Sequence, residues 1–183
     1  MTFSEFYKTF KYESDKGTKH DYIDGFYSPE FTNKKLNNLN ILEIGINKGY
    51  SLCLFAEWFI NSNITGIDVV NPNYYSVINE YKNIKSFNQN AYTKNFADTF
   101  ENNTFDYIID DGPHTLESQI QSVQLYLPKL KQGGKLIIED VNNIDQTKIT
   151  FESLNVPFDI IDLRKNKNRY DDVLLVFKYP EKI

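Results

Sequence analysis

Apolar and polar positions alternate along the chain in blocks that have the lengths of strands and helices. Five apolar runs have strand length: 40–46, 63–70, 83–87, 105–111 and 134–140. Segments with helical character lie between or after them: 49–60, 74–81, 92–100 and 115–131. Strands buried on both faces read as continuous apolar runs, and their alternation with helices predicts a parallel α/β sheet with helices on both faces.

The end of the chain breaks this rhythm. After a predicted helix at 144–154 come two more apolar runs, 157–164 and 171–179, separated by the polar stretch 165–170. A loop of that length predicts a hairpin and therefore an antiparallel final pair. The resulting seven-stranded, mostly parallel sheet resembles the Rossmann-like fold of class I methyltransferases, whereas a nicotinamide-type sheet would finish with a sixth parallel strand.

The beginning of the chain has a different character. Aromatic residues recur at helical spacing within 2–12, a polar loop follows, and a second short helix is predicted within 20–37. We interpret 1–37 as a helical and loop segment that covers the cofactor site of a Rossmann-like core, 38–183. Together they form one predicted domain, 1–183.

Composition narrows the class of protein. The formal net charge of -5 gives no electrostatic reason to expect a nucleic-acid or membrane partner. The single cysteine, Cys53, excludes a disulfide within the chain. No run reaches the roughly 18 apolar residues of a membrane span, and the N-terminus lacks a secretory signal pattern. We therefore expect a cytoplasmic protein with a small-molecule or glycan partner, and homo-oligomerisation stays open.

The first predicted strand ends in a glycine turn with the spacing E-x-G-x-x-x-G. Gly45 permits a tight turn and close approach of the backbone to a ligand, and Gly49 lets the next helix pack near the strand. The carboxylate of Glu43 would repel a pyrophosphate but suits the ammonium of a methionine moiety. The spacing also departs from the dinucleotide fingerprint. A glycine turn in an unrelated α/β protein is the alternative.

Further residues complete a predicted S-adenosylmethionine (SAM) site. Asp68 ends the second strand, where a carboxylate would bind ribose hydroxyls, although a turn or helix-capping aspartate is the alternative. By position after the third strand, Asn90, Ala91 and Tyr92 would lie beside the adenine. Ser51, in the helix that follows the glycine turn, is assigned to the same site.

The fourth predicted strand ends in the segment DDGPH and the fifth in ED. Both ends are expected at the carboxyl edge of the sheet, where clustered carboxylates need a cation between them. Mg²⁺ with oxygen ligands suits this need, and Asp111, Glu139 and Asp140 are its candidate ligands. The metal would lower the pKa of an acceptor hydroxyl, and His114 is the candidate base that removes its proton.

Several of these residues also have an ordinary structural interpretation. Asp110 is assigned near the cofactor, although a cap of the following helix is favoured for it. His114 has the alternative of a residue at a helix N-terminus, and Asp140 that of a turn residue. Cys53 and Trp58 are predicted to be core residues without chemistry.

Five segments together make the chain similar to the macrolide-sugar O-methyltransferases of the mycinamicin and tylosin pathways. They are SDKGTKHDY (14–22), LEIGINKGYSL (42–52), ITGIDV (64–69), IIDDGPHT (108–115) and LIIEDV (136–141). The pairing of D-K-G-x-x-H-x-Y with D-D-G-x-H and E-D is the most specific part. The resemblance implies that Asp111, Glu139 and Asp140 hold Mg²⁺ and that His114 is the base. It assigns the cofactor contacts to Glu43, Gly45, Gly49 and Asp68.

The same resemblance implies that the segment 14–22 folds over the cofactor and the substrate entrance. On that basis Lys16 and Tyr22 are assigned to the cofactor, and Asp15 and His20 to the substrate. A loop anchored by capping contacts is the alternative for all four.

Two departures limit what the resemblance implies. Pro113 stands where a small polar residue is usual, and the adenine segment 87–92 lacks the usual acidic pattern. Larger members carry an extra N-terminal domain, so a sugar hydroxyl, rather than a macrolide, is the expected acceptor. A metal-independent N- or O-methyltransferase and a non-catalytic SAM-binding subunit are the alternatives.

Overall fold

A computed structural model of the chain describes residues 1–70 and 76–179, and its centre is a seven-stranded sheet. The strands are β1 (Asn40–Ile44), β2 (Asn63–Asp68), β3 (Ile84–Asn88), β4 (Phe105–Asp110), β5 (Leu130–Ile138), β6 (Phe158–Asp162) and β7 (Val173–Lys178). All seven lie where the apolar runs predict them, so the predicted fold class is confirmed.

The order across the sheet is β3-β2-β1-β4-β5-β7-β6. Strands β1 to β5 pair in parallel, and β7 pairs antiparallel with both β5 and β6. Because β7 runs against its neighbours, its first residue lies at the edge where the parallel strands end. That edge therefore collects the ends of β1, β2, β4 and β5 together with the start of β7.

Helices cover both faces of the sheet. They are α1 (Phe3–Tyr7), α2 (Asp15–Thr18), α3 (Ser28–Phe31), α4 (Tyr50–Trp58), α5 (Lys94–Ala97), α6 (Leu116–Tyr126), α7 (Ile144–Ser153) and α8 (Arg164–Lys167). A π-helical turn spans Ile23–Tyr27, and 3-10 turns span Thr32–Lys34, Ser76–Glu80 and Leu127–Lys129. Among the described residues, no helix is long and apolar enough to cross a bilayer.

Neighbouring strand residues belong to different cores because side chains alternate across a strand. Ile41 and Ile109 pack with α1, α3 and α4, whereas Leu42 and Ile108 pack with α6 and α7. The first core contains the aromatic side chains of the N-terminal segment. Phe3 is fully buried, with its ring 5.4 Å from that of Trp58. Cys53 and Trp58 are core residues, as predicted.

Two helices are shorter than predicted. α1 stops at Tyr7 rather than at residue 12, and α5 has 4 residues where 92–100 was expected to be helical. Just beyond each end, a threonine hydroxyl donates to the carbonyl three residues earlier, Thr9 at 2.8 Å and Thr99 at 2.7 Å. Such local bonds compete with the helical pattern and favour a turn.

Other boundaries also differ. The helix expected over 115–131 becomes α6 plus a 3-10 turn, because a proline in that turn lacks the N–H that would continue the helix. The strand expected over 134–140 begins and ends earlier, leaving the Glu-Asp pair beyond its end. The polar stretch 165–170, predicted as a loop, contains part of α8. The helix predicted over 74–81 falls partly outside the described residues, and the rest is a 3-10 turn.

Candidate active site

A cavity of about 940 Å³ opens at the edge where the parallel strands end. Its lining includes eleven of the predicted site residues: Asp15, His20, Gly45, Ser51, Asp68, Asn90, Ala91, Tyr92, Asp111, His114 and Asp140. The other predicted site residues are buried behind the cavity wall: Lys16, Tyr22, Glu43, Gly49, Asp110 and Glu139. Residues of the first group can contact a ligand in the cavity, whereas residues of the second group can affect a ligand only through neighbouring side chains.

The glycine turn after β1 forms one wall. Gly45 has a φ of +83°, and a Cβ placed on it would lie 2.0 Å from the carbonyl oxygen of Asp111. Gly49 has a φ of +77° and caps the start of α4, where a Cβ would meet Ile78 at 2.5 Å. Both positions therefore require glycine, the first because two strand ends approach each other there.

Asp68 connects this turn to the end of β2. One carboxylate oxygen accepts from the backbone N–H of Asn47 at 3.0 Å and the other from Val70 at 2.9 Å. These are the contacts of a turn aspartate, yet the residue also lines the cavity. Each carboxylate oxygen has a second lone pair, so a ribose hydroxyl could still donate to it.

The segment after β3 forms another wall. Asn90 accepts from the backbone N–H of Tyr92 at 2.9 Å, and the Tyr92 hydroxyl donates to Asp110 Oδ1 at 2.5 Å. Gly112 N–H donates to the same oxygen at 3.2 Å. Burial raises the pKa of Asp110 to about 6. Asp110 thus holds this wall from behind and does not touch the cavity.

The favoured interpretation of Asp110 as a helix cap is wrong. The N-cap of α6 is Thr115, whose hydroxyl oxygen accepts from Ser118 N–H at 3.1 Å. His114 precedes this cap and lies outside the helix. Asp110 is the last residue of β4, and its Oδ1 accepts from the Tyr92 hydroxyl and Gly112 N–H instead.

Behind the cavity, the ammonium of Lys16 sits among three carboxylates. Its Nζ lies 2.5 Å from Glu139 Oε2, 2.8 Å from Asp111 Oδ2 and 3.2 Å from Glu43 Oε1. Lys16 is 1% exposed, and the carboxylates lie in or just beyond the last residues of three different strands. Burial lowers the pKa of Lys16, but the three carboxylates outweigh burial and hold the pKa well above its ordinary value. Lys16 therefore lies against acidic side chains, whereas the sequence assigned it to the cofactor.

Glu43 is fully buried and is absent from the lining of the cavity, beside which the sequence predicted a methionine ammonium. Its Oε2 accepts from the hydroxyl of Ser51 at 2.7 Å, and Ser51 does line the cavity. Burial raises the pKa of Glu43 to about 7, against the opposing effect of Lys16. Glu43 thus acts on the cavity through Ser51 and Lys16.

Asp111, His114 and Asp140 converge at the cavity edge, with one potential metal-ligating atom from each lying within 4.8 Å of the others. His114 Nε2 is 3.9 Å from Asp111 Oδ1 and 3.8 Å from Asp140 Oδ2. These gaps are too long for hydrogen bonds. Two facing carboxylates and a polar neighbour fit a Mg²⁺ ion, which binds through one or two carboxylates and keeps several waters.

Glu139 is not part of this group, although the sequence assigned it as a metal ligand. Its two oxygens accept from Lys16 and from the hydroxyl of Tyr27. Burial raises the pKa of Glu139 well above its ordinary value. The carboxylate therefore anchors the N-terminal segment, while its neighbour Asp140 faces the cavity.

The second histidine also reaches the cavity. His20 Nδ1 lies 2.6 Å from Asp172 Oδ1, and its ring stacks on Tyr22 with 4.8 Å between centroids. The guanidinium of Arg169 pairs with Asp171 at 2.9 Å and lies 3.4 Å from Asp172. The sequence interpretation missed these last three residues. The signal that could have predicted Asp171 and Asp172 is an Asp-Asp pair directly before an antiparallel closing strand. That strand starts at the edge of the sheet where the parallel strands end.

Tyr22 is buried and contacts Asp140 instead of the cofactor cavity. Its hydroxyl donates to Asp140 Oδ1 at 2.6 Å and accepts from Asp140 N–H at 3.2 Å. Asp140 has a φ of +55° and His114 a φ of +58°, left-handed conformations that non-glycine residues rarely adopt. The hydrogen bond from Asp140 N–H to the Tyr22 hydroxyl supports the first of these two backbone conformations.

Two sequence relatives are sugar-modifying enzymes by name. The L-olivosyl-oleandolide 3-O-methyltransferase of Streptomyces antibioticus is 27% identical over 71% of this chain and 35% of its own length. The 8-demethyl-8-(2-methoxy-alpha-L-rhamnosyl)-tetracenomycin-C 3'-O-methyltransferase of Streptomyces olivaceus is 24% identical over 72% of this chain and 35% of its own length. The chain thus spans about a third of these curated relatives.

The fold has a match among solved structures as well. The MycE methyltransferase from the mycinamycin biosynthetic pathway, in complex with Mg and SAH, superposes with a TM-score of 0.73 and 20% identity. The match covers 97% of this chain and 55% of that one. A family model described as "Methyltransferase domain" matches residues 42–141, more than half of the chain. The chain therefore belongs to the methyltransferase domain family.

Proposed function

We propose that this protein is a SAM-dependent, Mg²⁺-using O-methyltransferase whose acceptor is a hydroxyl of a sugar or sugar-containing molecule. The observation that carries the proposal is the convergence of Asp111, His114 and Asp140 beside the glycine turn, in one cavity. The names of both sequence relatives, which describe O-methylation of sugar-bearing natural products, support it. The structurally similar MycE methyltransferase is in complex with Mg and SAH, which supports both cofactors.

The cofactor fits one half of the cavity. The backbone of Gly45 to Asn47 would approach the methionine part, and Asp68 would accept from the ribose hydroxyls. Asn90 to Tyr92 would lie along the adenine. This placement follows the rule that open α/β sheets bind ligands beyond the carboxyl ends of their strands.

The chemistry would take place at the acidic edge. Asp111 Oδ1 and Asp140 Oδ2 would hold Mg²⁺, which when bound supplies Lewis-acid polarisation of the acceptor hydroxyl. His114 Nε2 faces the same point and would accept the hydroxyl proton. SAM held beside this point would supply the methyl group of its sulfonium; the acceptor oxygen would bond to the methyl carbon, and the sulfur would keep the electron pair of the broken bond.

The N-terminal segment completes the acceptor side. Asp15 and His20 line the cavity from this segment and would contact the acceptor. The burial of Phe3, Tyr22 and Phe31 in the same core as α4 supports the proposal that residues 1–37 and 38–183 form one domain.

The test measures binding and turnover separately. SAH should raise the melting temperature of the protein and NAD should not, because only a ligand of the native state stabilises it. Labelled SAM with a panel of nucleotide-sugars and glycosides should give a methylated product that a chelator abolishes and Mg²⁺ restores.

A matched variant isolates the base. His114→Ala should retain SAH binding and lose at least 100-fold in turnover, since general-base catalysis typically contributes about 10²–10⁴-fold. Unimpaired turnover would remove His114 as the base, and chelator-resistant turnover would point to the metal-independent reaction. A protein that binds SAH but methylates nothing in the panel would favour the non-catalytic alternative.

A further inference from the structure

We infer that the N-terminal segment 14–22, here called the clamp segment, positions the two carboxylates of the metal site. This inference rests on the proposed function. Lys16 and Tyr22 each engage one oxygen of a carboxylate, and the other oxygen of the same carboxylate faces His114. The two residues are positioning residues, and neither lines the cavity.

Asp111 is held by Lys16. The ammonium contacts Asp111 Oδ2 at 2.8 Å, and the other oxygen, Oδ1, lies 3.9 Å from His114 Nε2. Lys16 cannot shift easily, because Glu43 and Glu139 hold the same ammonium from other directions. Asp111 therefore cannot turn Oδ1 away from the cavity without breaking a buried ion pair.

Asp140 is held in the same way by Tyr22. The hydroxyl bonds both Oδ1 and the backbone N–H of Asp140, and Oδ2 lies 3.8 Å from His114 Nε2. A single hydroxyl thus fixes the side chain and supports a backbone conformation with a φ of +55°. Such support of ligating carboxylates by neighbouring hydrogen bonds commonly sets metal affinity.

Other contacts keep the clamp segment in place. Lys167 Nζ donates to the carbonyls of Gly17 at 2.5 Å and His20 at 2.8 Å. At the start of the segment, the Tyr7 hydroxyl donates to the carbonyl of Ser14 at 2.9 Å. Because these anchors do not involve Asp140, loss of the Tyr22 hydroxyl alone should leave the segment folded.

Tyr22→Phe is the decisive variant, since it removes one hydroxyl and no charge. Lys16→Met would also change the electrostatic attraction of the site for a cation. Mn²⁺ affinity, measured by electron paramagnetic resonance with SAH present, should fall about 10-fold in Tyr22→Phe, the lower end of the usual effect of residues that support metal ligands. SAH affinity should stay within about twofold, because Tyr22 does not reach the cavity.

Tyr7→Phe is the matched control, because it removes a hydroxyl that bonds the same segment but no carboxylate. Its Mn²⁺ affinity should equal that of the unmodified protein. Hydrogen exchange gives a second readout. Mn²⁺ should slow exchange of amides 14–22 in the unmodified protein, by the reciprocity of linked binding, and much less in Tyr22→Phe.

The outcomes separate this inference from the proposed function. Equal Mn²⁺ affinity in the Tyr22→Phe and unmodified proteins would contradict the positioning role of the clamp segment without contradicting the proposed metal site. An unmodified protein that binds SAH but no Mn²⁺ would overturn the metal site and the clamp with it. Asp140→Asn should abolish Mn²⁺ binding, and if it does not, the ion sits elsewhere and the clamp is also wrong.

Discussion

The buried ammonium of Lys16 offers a quantitative test of how this fold is held together. Lys16→Met keeps the apolar stem and removes the charge that faces Glu43, Asp111 and Glu139. Removing one partner of a buried ion pair typically costs about 3–5 kcal/mol. The protein can avoid the uncompensated charge by protonating a carboxyl. At pH 7.5 that costs about 4 kcal/mol for a glutamate with an ordinary pKa of about 4.3, so both routes give a similar loss.

The assay is urea unfolding followed by circular dichroism, at pH 7.5 and at pH 5.5. Lys16→Met should lose about 4 kcal/mol of unfolding free energy at pH 7.5. The loss should shrink by about 2–3 kcal/mol at pH 5.5, because protonating a carboxyl costs about 1.4 kcal/mol less for each pH unit.

Lys11→Met is the control for removing a lysine from an ion pair. Its ammonium pairs with Glu80 at 2.8 Å, but both side chains are at least half exposed, so Lys11→Met should unfold at nearly the same urea concentration as the unmodified protein. The expected loss of unfolding free energy at pH 7.5 is about 4 kcal/mol. A Lys16→Met protein whose unfolding free energy lies within about 1 kcal/mol of that of the unmodified protein would refute the reasoning. A deficit that does not shrink on acidification would refute it as well.

Two further predictions concern Glu43 and the glycine turn. Burial raises the pKa of Glu43 from 4.5 to about 7, so its contribution to stability is complete below pH 4.5 and is lost as the pH rises towards 7. The loss amounts to about 3 kcal/mol, and Glu43→Gln should remove this slope from unfolding free energies measured between pH 5 and 8. Gly45→Ala should abolish SAH binding in calorimetry, because its Cβ would lie 2.0 Å from the Asp111 carbonyl. Gly133→Ala is the control, since it has a φ of +73° but open space around the Cβ, and should cost only the backbone strain of about 1 kcal/mol. Normal SAH binding by Gly45→Ala would contradict the close approach of the two strand ends.

The strands, their parallel pairing and the glycine turn follow from local pattern. Apolar runs, their spacing and the closing hairpin predict the sheet, because burial on both faces leaves a direct mark on the sequence. The same logic brought Asp111, His114 and Asp140 to one edge, since the ends of parallel strands meet there. The helix ends were less predictable, because single threonine hydroxyls stop α1 and α5.

The contacts behind the cavity depend on packing between distant parts of the chain. Lys16 bonds Asp111 and Glu139 across 95 and 123 residues, and His20 meets Asp172 across 152. No local pattern marks a lysine for burial, because its ammonium is stable inside only where carboxylates from separate strands converge on it. That convergence exists once the crossovers have set the strand order. The sequence therefore predicted the convergence of Asp111, His114 and Asp140, while the contacts of Glu43, Lys16 and Glu139 depend on three-dimensional packing.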